Sequence, residues 1–418
     1  MARGIPQSLL HPLHWGRRLV DLLGPTGDAA RQSLGALVFN SLTSLVAGAF
    51  LGSIVDSFEE LPGLLLMVPA AIGLRGNIFS TFGNRISTTV HTGTFRPSLR
   101  RETVFGQNVL ATMSLTVVMS LVLAVVARVV AVAFGVENAV GILELVLISF
   151  VGGVLASLVV LGASILLAVM AVRRDWDLDN LVAPSVSTLG DVVTIPCLFL
   201  ASLLVGTGSW TLLVGGALVV ASLGVAVTSV RSHLADFRRI VIESIPVLSV
   251  ALVLSTLAGV AVEKRLAVFA ALPALLVLQP AFVSSAGSLG GILSSRISTN
   301  LHLGLVEPTL VPGRPVLEDA TLVMGLAIPV YVLNAVGAQA VAALLSQASP
   351  GIWWMLTVSL VAGLVTVAFV VALAYYGTIA AWRVDLDPDS VGIPVVTASV
   401  DFVGAVSLVA AVVTFGLV

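Results

Sequence analysis

Residues 69–93, PAAIGLRGNIFSTFGNRISTTVHTG, return 211 positions later as residues 280–304, PAFVSSAGSLGGILSSRISTNLHLG. Pro69, Ala70, Gly76 and the run Arg85-Ile86-Ser87-Thr88 meet Pro280, Ala281, Gly287 and Arg296-Ile297-Ser298-Thr299. His91 and Gly93 meet His302 and Gly304. A second set stands 210 apart: Asp175, Asp177, Asp179, Pro184 and Asp191 against Asp385, Asp387, Asp389, Pro394 and Asp401. The chain is one unit written twice, and this restricts its architecture more than any local propensity does.

The solvent for both units is lipid. The chain is 58% hydrophobic and only 10% charged, with mean hydropathy +1.10, far more apolar than a soluble domain. Several apolar runs exceed the roughly 20 residues of a spanning helix. Lipid offers no partner to an unpaired backbone group, and the alternation of a β-barrel is missing, so the chain reads as an all-α integral membrane protein. Helices are expected near 35–56, 63–90, 105–134, 139–171 and 181–206. The same five recur near 240–262, 267–301, 318–346, 352–381 and 390–417. One extra helix, 209–230, links them, giving eleven. The domains are thus an N-terminal segment 1–34, a first five-helix repeat 35–206, a linking helix and loop 207–236, and a second repeat 237–418.

A unit with five crossings ends on the side opposite its start, and the linking helix returns the chain. The repeats therefore insert in parallel, related by a pseudo-twofold axis along the membrane normal. A pseudo-dimer within one chain can work as a monomer. Arg96, Arg100, Arg101, Arg173, Arg174, Arg231, Arg238, Arg239, Arg314 and Arg383 share one side if the N-terminus is cytoplasmic. Only Lys264 and Arg265 then lie outside. The C-terminus is accordingly expected outside a cell-membrane protein. No secretory signal is visible, and Ile5, Leu9, Leu13, Leu19, Leu22 and Leu23 can form one face of a surface helix. A net charge of −2 suggests no nucleic-acid partner, and the single cysteine, Cys197, excludes an internal disulfide.

Asp191 and Asp401 carry the chemistry. Each lies about ten residues into its helix, roughly 15 Å deep, where a lone carboxylate is costly and calls for water, a cation or a basic partner. The duplication supplies two, able to face each other across the axis. Two carboxylates with intervening water suit magnesium, which keeps much of its hydration shell. The plainer alternative is that each aspartate pairs separately with an intramembrane arginine, or bonds a neighbouring helix. Ser187 and Thr397, one turn earlier, share the aspartates' face and are candidate ligands of the ion or its water; helix packing or a hydrogen bond to a backbone carbonyl is their alternative. Pro184 and Pro394 loosen the same turns. Asn77 and Ser288 occupy equivalent positions on the second helix of each unit and are expected to line the path. Gly73, Gly76, Ser284, Ser285, Gly287, Gly290 and Gly291 are read mainly as close-packing residues. Arg85 and Arg296 are expected to reach the inner headgroups or acidic loops. His91 and His302 are expected to be surface residues. The D-x-D-x-D runs are either helix-start aspartates or a cation-concentrating vestibule. Arg128 and Glu144 stand level and are expected to pair. Arg75 has Ala286 as its counterpart, which argues against a place on the axis.

The run P-x-x-x-G-x-x-G-N, the R-[IL]-S-T…H-x-G stretch, and Asn180, Pro184 and Asp191 opening the fifth helix resemble the MgtE-type magnesium transporter family. The resemblance is strongest to its duplicated branch, which includes the animal solute-carrier homologues, and covers roughly 35–206 and 237–418. It implies a five-helix unit working as a pair, with the ion held on the axis by Asp191 and Asp401. Ser288 in place of asparagine, and Ser390 opposite Asn180, make the two half-sites unequal. Only about 34 residues precede the first helix, so gating by the cytoplasmic sensor domain of bacterial members is not expected.

The expected function is a divalent cation transporter or channel for Mg2+, with Mn2+ or Co2+ as possible further cargo, and the path between the repeats. A sodium-coupled Mg2+ exporter is the alternative. A membrane enzyme acting on lipids would need a nucleophile and base at a spacing that is not found. A scaffold without transport would leave the two midplane carboxylates unexplained.

Overall fold

The structure, a computed structural model, describes residues 26–55, 61–91, 98–173, 178–206, 208, 210–383 and 393–416. The side chains of 26–32, 91, 171–173, 178–187, 302 and 393–395 lie outside the description. Twelve helices account for nearly all of it: α1 Thr26–Ser53, α2 Leu64–His91, α3 Val104–Ala133, α4 Ile142–Arg173, α5 Leu178–Ser202 and α6 Trp210–Val230. They continue as α7 Ala235–Glu263, the short α8 Leu266–Ala271, α9 Ala274–His302, α10 Arg314–Leu344, α11 Ile352–Arg383 and α12 Ile393–Thr414. Ten are long and apolar enough to cross a membrane, and α5 adds a shorter apolar stretch, Thr188–Ser202. The protein is an all-α, multi-pass membrane protein. α1 begins earlier than expected, at Thr26, although its membrane-suited part starts only at Ser33.

The internal repeat is visible atom by atom. Ser149 Oγ donates to the Ser120 carbonyl at 2.7 Å, and Ser359 Oγ donates to the Tyr331 carbonyl at 2.8 Å. Each bond ties the fourth helix of a unit to its third, at matching positions.

The first helix of each unit is exchanged. α1 packs chiefly on α9 and α10 of the other unit, and α7 packs on α2 and α3 as well as on α12. Two equivalent glycines permit these crossings. A Cβ on Gly48 would overlap the Val277 carbonyl of α9, and one on Gly259 would overlap the Leu66 backbone of α2. Small residues at the contact let two backbones approach where lipid supplies no hydrophobic driving force.

Polar clips fix the exchange at the helix ends. The Phe237 N–H, at the start of α7, donates to Gln107 Oε1 of α3 at 3.0 Å. At the other end of α7, Glu263 Oε1 accepts the Gly63 N–H at 2.8 Å, just before α2. A carboxylate there answers orphan N–H groups and the positive helix end. Gly63 has φ +91°, a conformation that favours glycine. α1 is tied more lightly, by Gln347 Nε2 donating to Ser53 Oγ at 3.4 Å. The linking helix α6 lies outside the exchange, packed on α3 and α4.

Two expectations about charged residues are corrected. Arg128 and Glu144 do not pair. Arg128 Nη1 donates to the carbonyls of Ala139 and Val140 at 2.9 and 3.3 Å, and Glu144 Oε2 accepts the Gly141 N–H at 3.1 Å. The turn between α3 and α4 presents unpaired backbone groups at that level, and these take both side chains. Arg296 does not reach outward either. It forms an ion pair with Asp319 of α10, which Asn300 also contacts at 3.3 Å.

Candidate functional site

Where the two units meet, a cavity of about 250 Å³ opens among α1, α2, α5, α7, α9 and α12. A water needs roughly 10–15 Å³ of such space, so there is room for an ion with its hydration shell. The small residues of α2 and α9 make the space. Gly73 and Gly76 on one helix, and Gly287 and Gly291 on the other, line its walls.

Asp191 and Asp401 both line this cavity, each 8% exposed. Their supports differ. Ser255 Oγ, on α7, donates to Asp401 Oδ2 at 2.9 Å. Asp191 Oδ2 instead accepts from Ser284 Oγ, on α9, at 3.4 Å. Ser284 is itself held by Asn40 of α1 through contacts of 3.0 and 3.1 Å. The repeat explains the exchange of partners. Ser284 corresponds to Gly73, whose Cβ would lie 3.3 Å from Asp401 Oδ2. Ser255 corresponds to Ser44, whose buried hydroxyl has no hydrogen-bond partner among the described residues. Each aspartate thus meets a serine in its wall, from a different helix in each half. Neither carboxylate forms an ion pair among the described residues, so the pairing of each with its own arginine is not seen, whereas each does bond a neighbouring helix through its serine.

Asn77, Ser288 and Thr397 line the same cavity as the two aspartates. Ser187 lies on α5, with its side chain outside the described residues. Pro184, Pro394, His91, His302 and both acidic runs are likewise beyond the side-chain description. The sequence does not single out Asn40, Ser80, Ser255 and Gln279, and it reads Ser284 mainly as a packing residue. Asn40, Ser80, Ser284 and Gln279 line the cavity, and Gln279 Oε1 is buried without a partner among the described residues. The available signal was polarity at helical spacing on α1 and α9. It was passed over because Asn40, Ser284 and Gln279 have apolar counterparts in the other unit: Ala251, Gly73 and Val68.

Chemically the cavity offers two carboxylates ringed by neutral oxygens. Among the described residues no group of three or more His, Cys, Asp or Glu side chains stands together. Oxygen ligands in this number suit a hard cation that retains water; soft or borderline ions favour thiolate and imidazole.

Comparison with known proteins agrees with this chemistry. The rat protein named solute carrier family 41 member 3 is 24% identical over 275 residues, 64% of this chain and 59% of that protein. Solute carrier family 41 member 2 of Xenopus laevis is 26% identical over 388 residues, 84% of this chain and 65% of that protein. The mouse member 3 is 25% identical over 252 residues, 59% of this chain and 51% of that protein. The chain thus spans between about half and two thirds of these relatives. A solved structure titled as an inward-facing multidrug resistance MATE family transporter of the MOP superfamily aligns over 92% of this chain and 98% of that one. With 13% identity and a TM-score of 0.34, it carries no argument. The profile of the MgtE family, described as divalent cation transporters, matches twice, over residues 68–201 and 279–411, once in each unit. The chain belongs to the MgtE family of divalent cation transporters.

Proposed function

We propose that this chain moves a divalent cation, Mg2+ first, across the membrane through the cavity between its two units, with Asp191 and Asp401 holding the hydrated ion. One observation carries the reading: two duplicated, mid-helix carboxylates line one cavity of about 250 Å³ at the interface of the repeats and lack any cationic partner among the described residues. A divalent ion supplies the missing countercharge. Magnesium sheds its water reluctantly, so binding through waters to two carboxylates, with Asn77, Ser288 and Thr397 bonding the outer waters, is the mode this cavity suits. Ser255 and Ser284 orient the carboxylates without taking up their full accepting capacity. Mn2+ and Co2+ share the charge and are candidate further cargo.

Both half-sites come from one chain, so a single chain suffices for the path. We orient the chain with its N-terminus inside and its C-terminus outside, a reading supported by the distribution of the loop arginines. We read the protein as a transporter and not an enzyme.

The test is Mg2+ influx into proteoliposomes followed with an entrapped magnesium dye, with and without an opposing sodium gradient. Asp191→Asn and Asp401→Asn should each lower flux by about tenfold or more, since each removes one of two charged ligands, while elution on size exclusion stays unchanged. Wild-type flux from the double variant would refute the assignment. Flux that appears only against a sodium gradient would recast the protein as an exchanger.

A further inference from the structure

The first unit holds a buried guanidinium that the second lacks. Arg75, on α2, is 1% exposed. Its Nη2 lies 3.5 Å from Ser120 Oγ, and Nε and Nη1 have no hydrogen-bond partner among the described residues. The guanidinium lies over Gly153 of α4, where a Cβ would collide with it. The matched positions in the second unit show a different filling: Ala286 replaces Arg75, Tyr331 replaces Ser120, and the Tyr331 ring occupies the space over Gly363.

Arg75 stands directly behind the cavity wall. The next residue, Gly76, lines the cavity. On its other side the Cβ of Arg75 faces Gly190, where a Cβ would come within 3.6 Å of it, and Gly190 precedes Asp191. The side chain is therefore rooted beside the Asp191 half-site, while its guanidinium lies on the far side of the wall, over Gly153 and next to Ser120, out of direct contact with an ion. An unpaired guanidinium at this depth is costly, and nothing in the packing requires one, because the second unit fills the same space with an aromatic ring.

We propose that Arg75 is a tuning residue of the cation site: its fixed positive charge offsets part of the field of Asp191 and Asp401, so that a divalent ion is held weakly enough to leave. This rests on the cation-transport reading above. Transport requires binding favourable enough for entry and weak enough for exit. Two carboxylates facing one cavity, without an opposing charge, would favour retention. In low-dielectric surroundings a charge one wall away still acts, since Coulomb energy falls only with the first power of distance. Arg75 does not touch the ion and is not a ligand.

The experiment compares Arg75→Gln, Arg75→Met and Arg75→Lys in proteoliposomes, with Mg2+ titrated, and measures the Mg2+ midpoint for thermal stabilisation of each purified protein. Removing the charge by either route should lower the Mg2+ midpoint and the KM by about threefold or more and lower kcat as well. Arg75→Lys should restore both towards wild type. A structural role alone would reduce kcat or yield and leave the midpoint in place. An unchanged or raised midpoint in the Gln and Met proteins overturns the proposal. So does failure of both to fold while the Lys protein folds. The aspartate variants separate the two levels. If they leave flux intact, the transport site itself is misplaced; if they abolish it and the Arg75 variants do not move the midpoint, only the tuning role falls.

Discussion

The two units share a backbone plan and differ in what they bury. In the second unit the arginine near the inner end of the second helix is answered. Arg296 pairs with Asp319, and Asn300 closes the cluster. In the first unit Asn108 stands where Asp319 would be, and Arg85 keeps Nε and Nη2 buried without partners among the described residues. Arg75 adds a second unanswered cation, opposite Ala286. The contact of each first helix with the opposite second helix differs too. Asn40, Ser41, Ser284, Ser285 and Asn334 bond one another across α1, α9 and α10. The matched residues around α7 and α2 are Ala251, Leu252, Gly73, Leu74 and Leu123. Duplication gave the molecule two identical frames and left each free to specialise. The cavity's symmetry therefore belongs to its backbone, and its field is lopsided.

The comparison is broken most severely at the crossings. Gly48→Leu and Gly259→Leu both force a side chain into the opposite helix backbone, each costing about 1–3 kcal/mol or more through overpacking. Because the crossings are equivalent, both should abolish monodisperse protein on size exclusion. A variant that tolerated one but not the other would show that the exchange is needed in one half only.

A smaller effect is expected where the charges differ. Asp319→Asn turns the second unit into a copy of the first and leaves Arg296 unanswered, at a cost of roughly 1–3 kcal/mol. The unfolding temperature should fall by several degrees. Asn108→Asp, the reverse change, should raise it by offering Arg85 a partner. An unaltered unfolding temperature in both would show that solvent already screens these groups.

The serines sharpen the comparison at the site. Ser255→Ala removes the 2.9 Å bond to Asp401 and should weaken Mg2+ affinity several-fold, by about 1 kcal/mol. Ser284→Ala removes the longer contact to Asp191 and should do less. Ser44→Ala, the counterpart of Ser255, should leave the Mg2+ midpoint where it was. An effect at Ser44 equal to that at Ser255 would show that the halves bind alike.

Much of this was legible in the chain. The helices followed from apolar length, the two units from offset matching, and the pairing of Asp191 with Asp401 at one cavity from their matched positions in the repeat. Matching copies also hid something. It favours residues that agree, and Asn40, Ser284 and Gln279 are functional candidates because they disagree with Ala251, Gly73 and Val68. The exchange of first helices was invisible for another reason. Gly48 and Gly259 specify a close crossing but not whose helix is crossed, since the opposite unit presents the same surface as the unit itself. Arg128 and Glu144 were level as expected, yet level groups pair only if no nearer partner exists, and the carbonyls and N–H groups of the outer turn were nearer.

The exchanged helices bear on how such a chain could be divided. A five-helix unit whose first helix packs in its neighbour is completed only by that neighbour. Cutting the chain after Arg231 would give two fragments, each holding an open groove and a stray helix. Made together they should knit into one transporter, whereas made separately each should fall to proteolysis or seek a second copy of itself.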